Sequence, residues 1–208
     1  AAPWASTDPW TPTAGGWRAG HAHLQADGLA RLSRDEAPGL SVRTIGLGRG
    51  DSSEPFTPHR AEAHPGGAIA WTDGDLTAWW GRRGEATLQG WTLSSAPAGE
   101  GPLHVEVGVT GGALRHLEDG LALVSDASGR PWRVAGLAAW DADGEPLPAR
   151  FAASAHGWRV EVDDAGARWP ITIDPVFETP AWSHNSPYTA GGFGNAFAGK
   201  YDSVFLVN

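Results

Sequence analysis

In LHVEVGVTG (103–111), Leu103, Val105, Val107 and Val109 alternate with His104, Glu106 and Gly108. Successive side chains of a strand point to opposite faces, so this pattern predicts a half-buried strand with His104 and Glu106 on the solvated side. The same reasoning finds strands in SVRTIGLGRG (41–50) and ATLQGWTL (86–93). GGAIAWTDGDLTAWWG (66–81) reads as two strands joined at Asp73-Gly74, and HAHLQADGLARLSR (21–34) as a hairpin around Asp27-Gly28. Further turns fall at Asp126–Gly129, Asp141–Gly144 and Asp163–Gly166, between short apolar runs. No segment of helical length shows a 3.6-residue period with caps. The expected fold is all-β, a β-sandwich of roughly ten to twelve short strands.

The ends break this rhythm. Residues 1–20 hold Pro3, Pro9 and Pro12 with Trp4, Trp10 and Trp17, and predict an extended arm whose tryptophans pack against something. Residues 21–176 carry the sandwich pattern. Residues 177–208 form a Gly- and aromatic-rich tail ending in the strand-like YDSVFLVN. Val204, Phe205, Leu206 and Val207 could pair with a sheet edge, either of this domain or of a partner. Together with Trp4, Trp10 and Trp17 they are the candidate interface residues.

Composition narrows the classes of partner. There are 15 Lys and Arg against 24 Asp and Glu, a net charge of −9, and Lys200 is the sole lysine. Such a chain lacks the basic field that nucleic acid requires. No apolar run approaches the ~18 residues of a spanning helix, so membrane insertion is not expected. The absence of cysteine excludes thiol catalysis, disulfides and thiolate zinc sites. The first residue is Ala and methionine is absent, which suggests a processed or trimmed chain.

Twelve tryptophans are the most unusual feature. Trp79 and Trp80 are adjacent, so on a strand they face opposite ways, one toward the core and one outward with Arg82 or Arg83 stacked on it. An outward tryptophan beside polar groups is a candidate glycan platform. His21 and His23 alternate on one predicted strand and could share a metal ion. Asp141, Asp143 and Glu145 have spacing superficially suited to calcium, but the full EF-hand pattern is missing and an ordinary Asp/Gly hairpin turn is the favoured account of these residues. No other cofactor is predicted. Neither a G-x-S-x-G elbow nor H-E-x-x-H occurs. A hydrolase would need distant carboxylates such as Glu106 with Asp163 or Asp174.

Three stretches resemble a known family. They are GWTLSSAPAGEGPLHVEVGV, AAWDADGEPLPARF and VEVDDAGARWPITIDP. They are similar to the β-rich domain at the N-terminus of large secreted bacterial surface proteins with FG-GAP or other β-propeller repeats. The matching positions are Gly90, Trp91, Gly101, Pro102 and Leu103, then Trp140, Asp141, Asp143 and Gly144, then Asp163, Asp164, Gly166, Pro170, Ile173, Asp174 and Pro175; Trp169 stands where tyrosine is expected. FGNAFAG (193–199) resembles the opening of an FG-GAP unit, but the calcium-binding DVNGDG segment does not follow it. The resemblance implies an extracellular or cell-surface location and a non-enzymatic structural or protein-interaction role. The chain would be a subunit or processed fragment of a larger assembly, with a protein partner or downstream domain. A carbohydrate-binding module and a carboxylate hydrolase are the alternatives.

Overall fold

The computed structural model describes residues 9–33, 39–64, 66–84, 86–116, 122–126 and 131–178. These residues form a β-sandwich of two antiparallel sheets, with no helix among them. The first half of the chain supplies β1 (Thr11–Thr13), β2 (Gly16–Ala19), β3 (Ala22–Gln25), β4 (Ala30–Leu32), β5 (Leu40–Arg49), β6 (Ser52–Pro55), β7 (Ala61–Ala63), β8 (Ile69–Asp73) and β9 (Leu76–Arg83). The second half supplies β10 (Ala86–Leu93), β11 (Leu103–Thr110), β12 (Gly112–His116), β13 (Ala122–Asp126), β14 (Pro131–Trp140), β15 (Ala149–Ser154), β16 (Gly157–Val162) and β17 (Ile171–Glu178). The first sheet runs β1-β2-β3-β4-β5-β11-β16-β15, with β6 also paired to β5. The second runs β12-β13-β14-β17-β10-β9-β8-β7.

The described residues hold seventeen strands, more than the ten to twelve expected; β1, β4 and β7, of three residues each, are among those too short to leave a periodic signal. The segment read as an arm supplies two of them. Thr11–Thr13 and Gly16–Ala19 pair with each other and then with β3, so residues 11–19 belong to the sandwich.

The inner faces meet in one apolar core. Leu103, Val105 and Val107 of β11 face Trp91 and Leu93 of β10 and Ile171 and Ile173 of β17, all nearly inaccessible to water. Aromatic rings fill the middle: Phe177 lies 5.5 Å from Trp80 and 5.9 Å from Trp158, centre to centre. Buried indole nitrogens need partners, and Trp91 Nε1 donates to Thr44 Oγ1 at 2.8 Å across the sandwich. Trp71 Nε1 donates to the Ala26 carbonyl at 3.0 Å.

The second sheet is also apolar on part of its outer face, where Trp79, Leu88 and Ala70 form a small buried cluster flanked by Val176. Trp79 lies opposite Gly90 on β10. A methyl group at Gly90 would stand 2.1 Å from the Trp79 ring, so glycine is what lets the indole lie across β10.

Candidate functional site

Ten tryptophans fall among the described residues, and none is exposed. Trp79 and Trp80 do point to opposite faces, yet they are only 1% and 2% exposed. Neither therefore offers a free platform, and the expected outward tryptophan is corrected by the second cluster on the sheet's outer side. Arg82 turns back instead, donating through Nη2 to the Gly84 carbonyl at 2.9 Å, while Arg83 is exposed. Trp10 is buried in the main core, and Trp17 packs on it with an edge-to-face contact to Trp71 at 6.2 Å. Both serve this domain's own core. Trp4 and Val204–Val207 lie outside the described residues.

The two metal candidates do not gather ligands. His21 sits in the turn before β3 with its ring edge-on to Trp132 at 6.1 Å, whereas His23 lies 3.5 Å from Thr13 Oγ1. Asp141 Oδ1 accepts from the backbone N–H groups of Asp143 and Glu145, and Oδ2 accepts from that of Arg168. These bonds hold the Asp141 carboxyl below the ordinary carboxylate range, with the Arg168 amide the largest contributor. Asp143 pairs with Arg168. Asp141 thus staples a turn to the loop after β16. Among the described residues no group of three or more His, Asp and Glu converges as ion ligands.

A different cluster emerges on the outer face of the first sheet. His104 of β11 lies opposite Gly48 of β5 on one side and Glu161 of β16 on the other. Arg150 of β15 stands opposite Glu161, and Arg159 opposite Glu106. Arg159 and Arg150 both form ion pairs with Glu161, the former at 2.6 Å. Arg159 also reaches the Gly50 carbonyl at 3.4 Å. Because β11 lies between β16 and β5, this side chain bridges β11 on the very face expected to be solvated. His104 is consequently 1% exposed. Burial, and then the positive charge of Arg159, push its pKa down, against smaller upward pulls from Glu106, the Pro102 carbonyl and Glu161.

Glycine makes this closure. A bulge sits where Glu106 opposes Gly46 and Val107 opposes Thr44, so Ile45 is the extra residue and the inward set changes from Val42 and Thr44 to Leu47. The β5–β6 hairpin then bends so tightly that a Cβ on Gly48 would lie 1.8 Å from the Ser52 carbonyl oxygen.

Beside this cluster opens a cleft of about 720 Å³, lined by Arg49, Pro102, Pro148, Arg150, Glu161 and Asp163 among others. Arg49 spans its wall, donating to both carboxylate oxygens of Asp164 at 3.0 and 2.5 Å. That pair raises the Arg49 pKa. The cleft unites charged groups from distant segments, yet each guanidinium faces a carboxylate. Glu106 and Asp163, named as hydrolase candidates, are in different settings. Glu106 faces Arg159, and exposed Asp163 accepts from the Ala165 amide at 3.1 Å.

Asp174, the third carboxylate considered, is on the outer face of the second sheet and 9% exposed. Burial raises its pKa to about 6, with Arg83 opposing the shift. A carboxyl with a raised folded-state pKa stabilises the fold below its unfolded value, and this contribution disappears as pH rises through about 6. His104 acts in the opposite sense: its neutral form is favoured, so stability is lost as pH falls below about 6.5 toward its lowered folded pKa. In urea unfolding from pH 4 to 8, Asp174→Asn should remove the loss near pH 6, and at pH 7.5 should be more stable than the parent by on the order of 2 kcal/mol. An unchanged pH profile would contradict the assignment of Asp174.

On the same outer face, Thr72, Thr77, Thr92 and Thr172 stand in one row across β8, β9, β10 and β17, and half-buried Trp140 ends the row on β14. Comparison with protein-family models, curated proteins and solved structures finds no match to this chain.

Proposed function

We propose that the chain is a non-enzymatic structural or protein-interaction module of an exported surface protein, as the resemblance to the N-terminal domain of FG-GAP-type proteins implies. The observation that carries this reading is the employment of its chemically conspicuous residues. The buried tryptophans build the sandwich, Asp141 staples a turn, and Glu161 and Asp164 neutralise arginines. Among the described residues, backbone at sheet edges and a charged cleft remain open to recognition, which suits protein contact better than catalysis.

The test is native mass spectrometry of the chain purified from its producing cells, with a hydrolase substrate screen on the same sample. A complex of fixed stoichiometry without turnover is expected. A lone monomer that binds nothing, or one that turns over a substrate, would overturn the proposal.

A glycan-binding reading retains one specific support, the row of threonine hydroxyls ending at Trp140. At a strand spacing of about 4.8 Å such a row can follow an extended polysaccharide. A glycan array in which Trp140→Ala abolishes a parent signal would favour it, and an array without parent signal would remove it.

A further inference from the structure

Among the described residues the sheets end at β1, β15, β7 and β12, with β6 an additional short edge along β5. Exposed edges invite strand addition unless they are blunted by brevity, proline or charge. β1 has three residues with Pro12 in the middle, β6 ends in Pro55, and β7 has three residues centred on Glu62. β12 has five residues, one fewer than β15. β15 differs: it is Ala-Arg-Phe-Ala-Ala-Ser, six residues without proline, paired only to β16. Its single charge, Arg150, is directed onto Glu161 of β16 and away from the open edge.

Two depressions flank this strand. The cleft of about 720 Å³ is lined by Pro148, Ala149 and Arg150 at its start. A second, of about 930 Å³, is lined by Ala153 and Ser154 at its end, together with half-buried Ile45, Val109 and Leu114. In the first, Glu161 faces Arg150 and Arg159 and Asp164 faces Arg49, which leaves exposed Asp163 as the carboxylate without an ion pair among the described residues. The second sets Ile45, Val109 and Leu114 beside the polar Ser41, Ser154 and His156, and its arginine, Arg43, is paired with Asp27 at 2.5 Å. Six residues at about 3.4 Å each separate the two depressions by roughly 17 Å, the span of a short extended peptide.

We propose that β15 is a strand-docking edge for an extended segment of a partner protein. This segment places a lysine or arginine in the cleft beside Asp163 and an apolar side chain in the groove at Ala153. Main-chain bonds to β15 supply the affinity and the two depressions the selectivity. The net charge of −9 favours the same basic partner. The site rests on the interaction-module reading and specifies where such a module binds.

The alternation of the ladder fixes a useful variant. Ser154 and Gly157 close the hairpin, so Ala153, opposite Trp158, turns its N–H to the open edge. Ala153→Pro therefore removes a docking donor without breaking a bond to β16. The probe is a blocked eight-residue peptide of alternating threonine and valine carrying a lysine near one end, made in both polarities. Its binding is followed by backbone amide NMR, and melting is recorded for every variant.

Shift changes centred on residues 149–154 are expected with at least one polarity, and at least a tenfold weaker response with Ala153→Pro. A peptide N-methylated on one face should likewise fail to bind the parent chain, a control that needs no variant to fold. Asp163→Asn should abolish the preference for lysine over glutamate. Equal binding by the N-methylated peptide, shifts elsewhere, or no binding would overturn the site. Concentration-dependent dimerisation through β15 would also overturn it, in favour of a second copy as occupant. A native complex whose contacts avoid β15 defeats this site alone, whereas the absence of any native complex defeats the module reading.

Discussion

Trp91→Ala is expected to lower the free energy of unfolding by about 3–5 kcal/mol, a large fraction of the stability of an ordinary domain. Trp91 is fully buried between Leu103, Val105 and Val107 of one sheet and Ile171 and Ile173 of the other. Truncation leaves a cavity that a close-packed interior fills only in part. It also leaves Thr44, 4% exposed, without the indole N–H that reaches its hydroxyl. Thr44→Val isolates the second effect, because it strands the indole donor while nearly keeping side-chain volume, and should cost about 1–3 kcal/mol. Exposed Arg31 is the control, with Arg31→Ala within about 0.5 kcal/mol of the parent. Urea unfolding monitored by tryptophan fluorescence and circular dichroism measures all three. A loss below about 1 kcal/mol for Trp91→Ala would mean that this ring does not join the two sheets.

Gly48→Ala is the second large effect. A collision at 1.8 Å with the Ser52 carbonyl oxygen involves backbone, so no side-chain rotation relieves it. The hairpin of β5 and β6 must open, at about 1–3 kcal/mol or more. Opening it withdraws the Gly50 carbonyl from Arg159 and admits water to His104. Burial is the main cause of the lowered His104 pKa, so its titration should move up toward the ordinary histidine value. NMR titration of His104 in the parent and in Gly48→Ala reads this directly. A variant of parental stability whose His104 titrates unchanged would show that the hairpin does not close the site.

The sequence pattern carried the fold class because its signal is local. β11 alternates as LHVEVGVTG suggests, and Leu103, Val105 and Val107 lie in the core. The polar half of that same strand shows where local reasoning ends. Glu106 and His104 read as solvated, but whether water reaches them depends on Arg159, some fifty residues onward, and on the neighbour order β5-β11-β16. Arg49 and Asp164 lie 115 residues apart, and nothing in either neighbourhood links them.

The tryptophan pair had a usable signal that alternation alone obscures. AWW and TLQGW place apolar residues at consecutive positions, the pattern of a strand buried on both faces. Leu88, on the outer face beside Trp79, and Gln89, on the inner face, are both wholly buried, as that pattern requires. The metal candidates failed for a related reason. Spacing of His21 and His23 or of Asp141 and Asp143 fixes sequence separation, whereas the turn before β3 and the three amides around Asp141 decide where the ligand atoms point.

Hydroxyl-radical footprinting of the free chain, read tryptophan by tryptophan by mass spectrometry, tests most directly whether these rings build the core or a binding surface. The account predicts slow oxidation of Trp71, Trp79, Trp80, Trp91, Trp132 and Trp158, and faster oxidation of half-buried Trp17, Trp140 and Trp169. Rapid oxidation of Trp79 or Trp80 in the folded chain would contradict it.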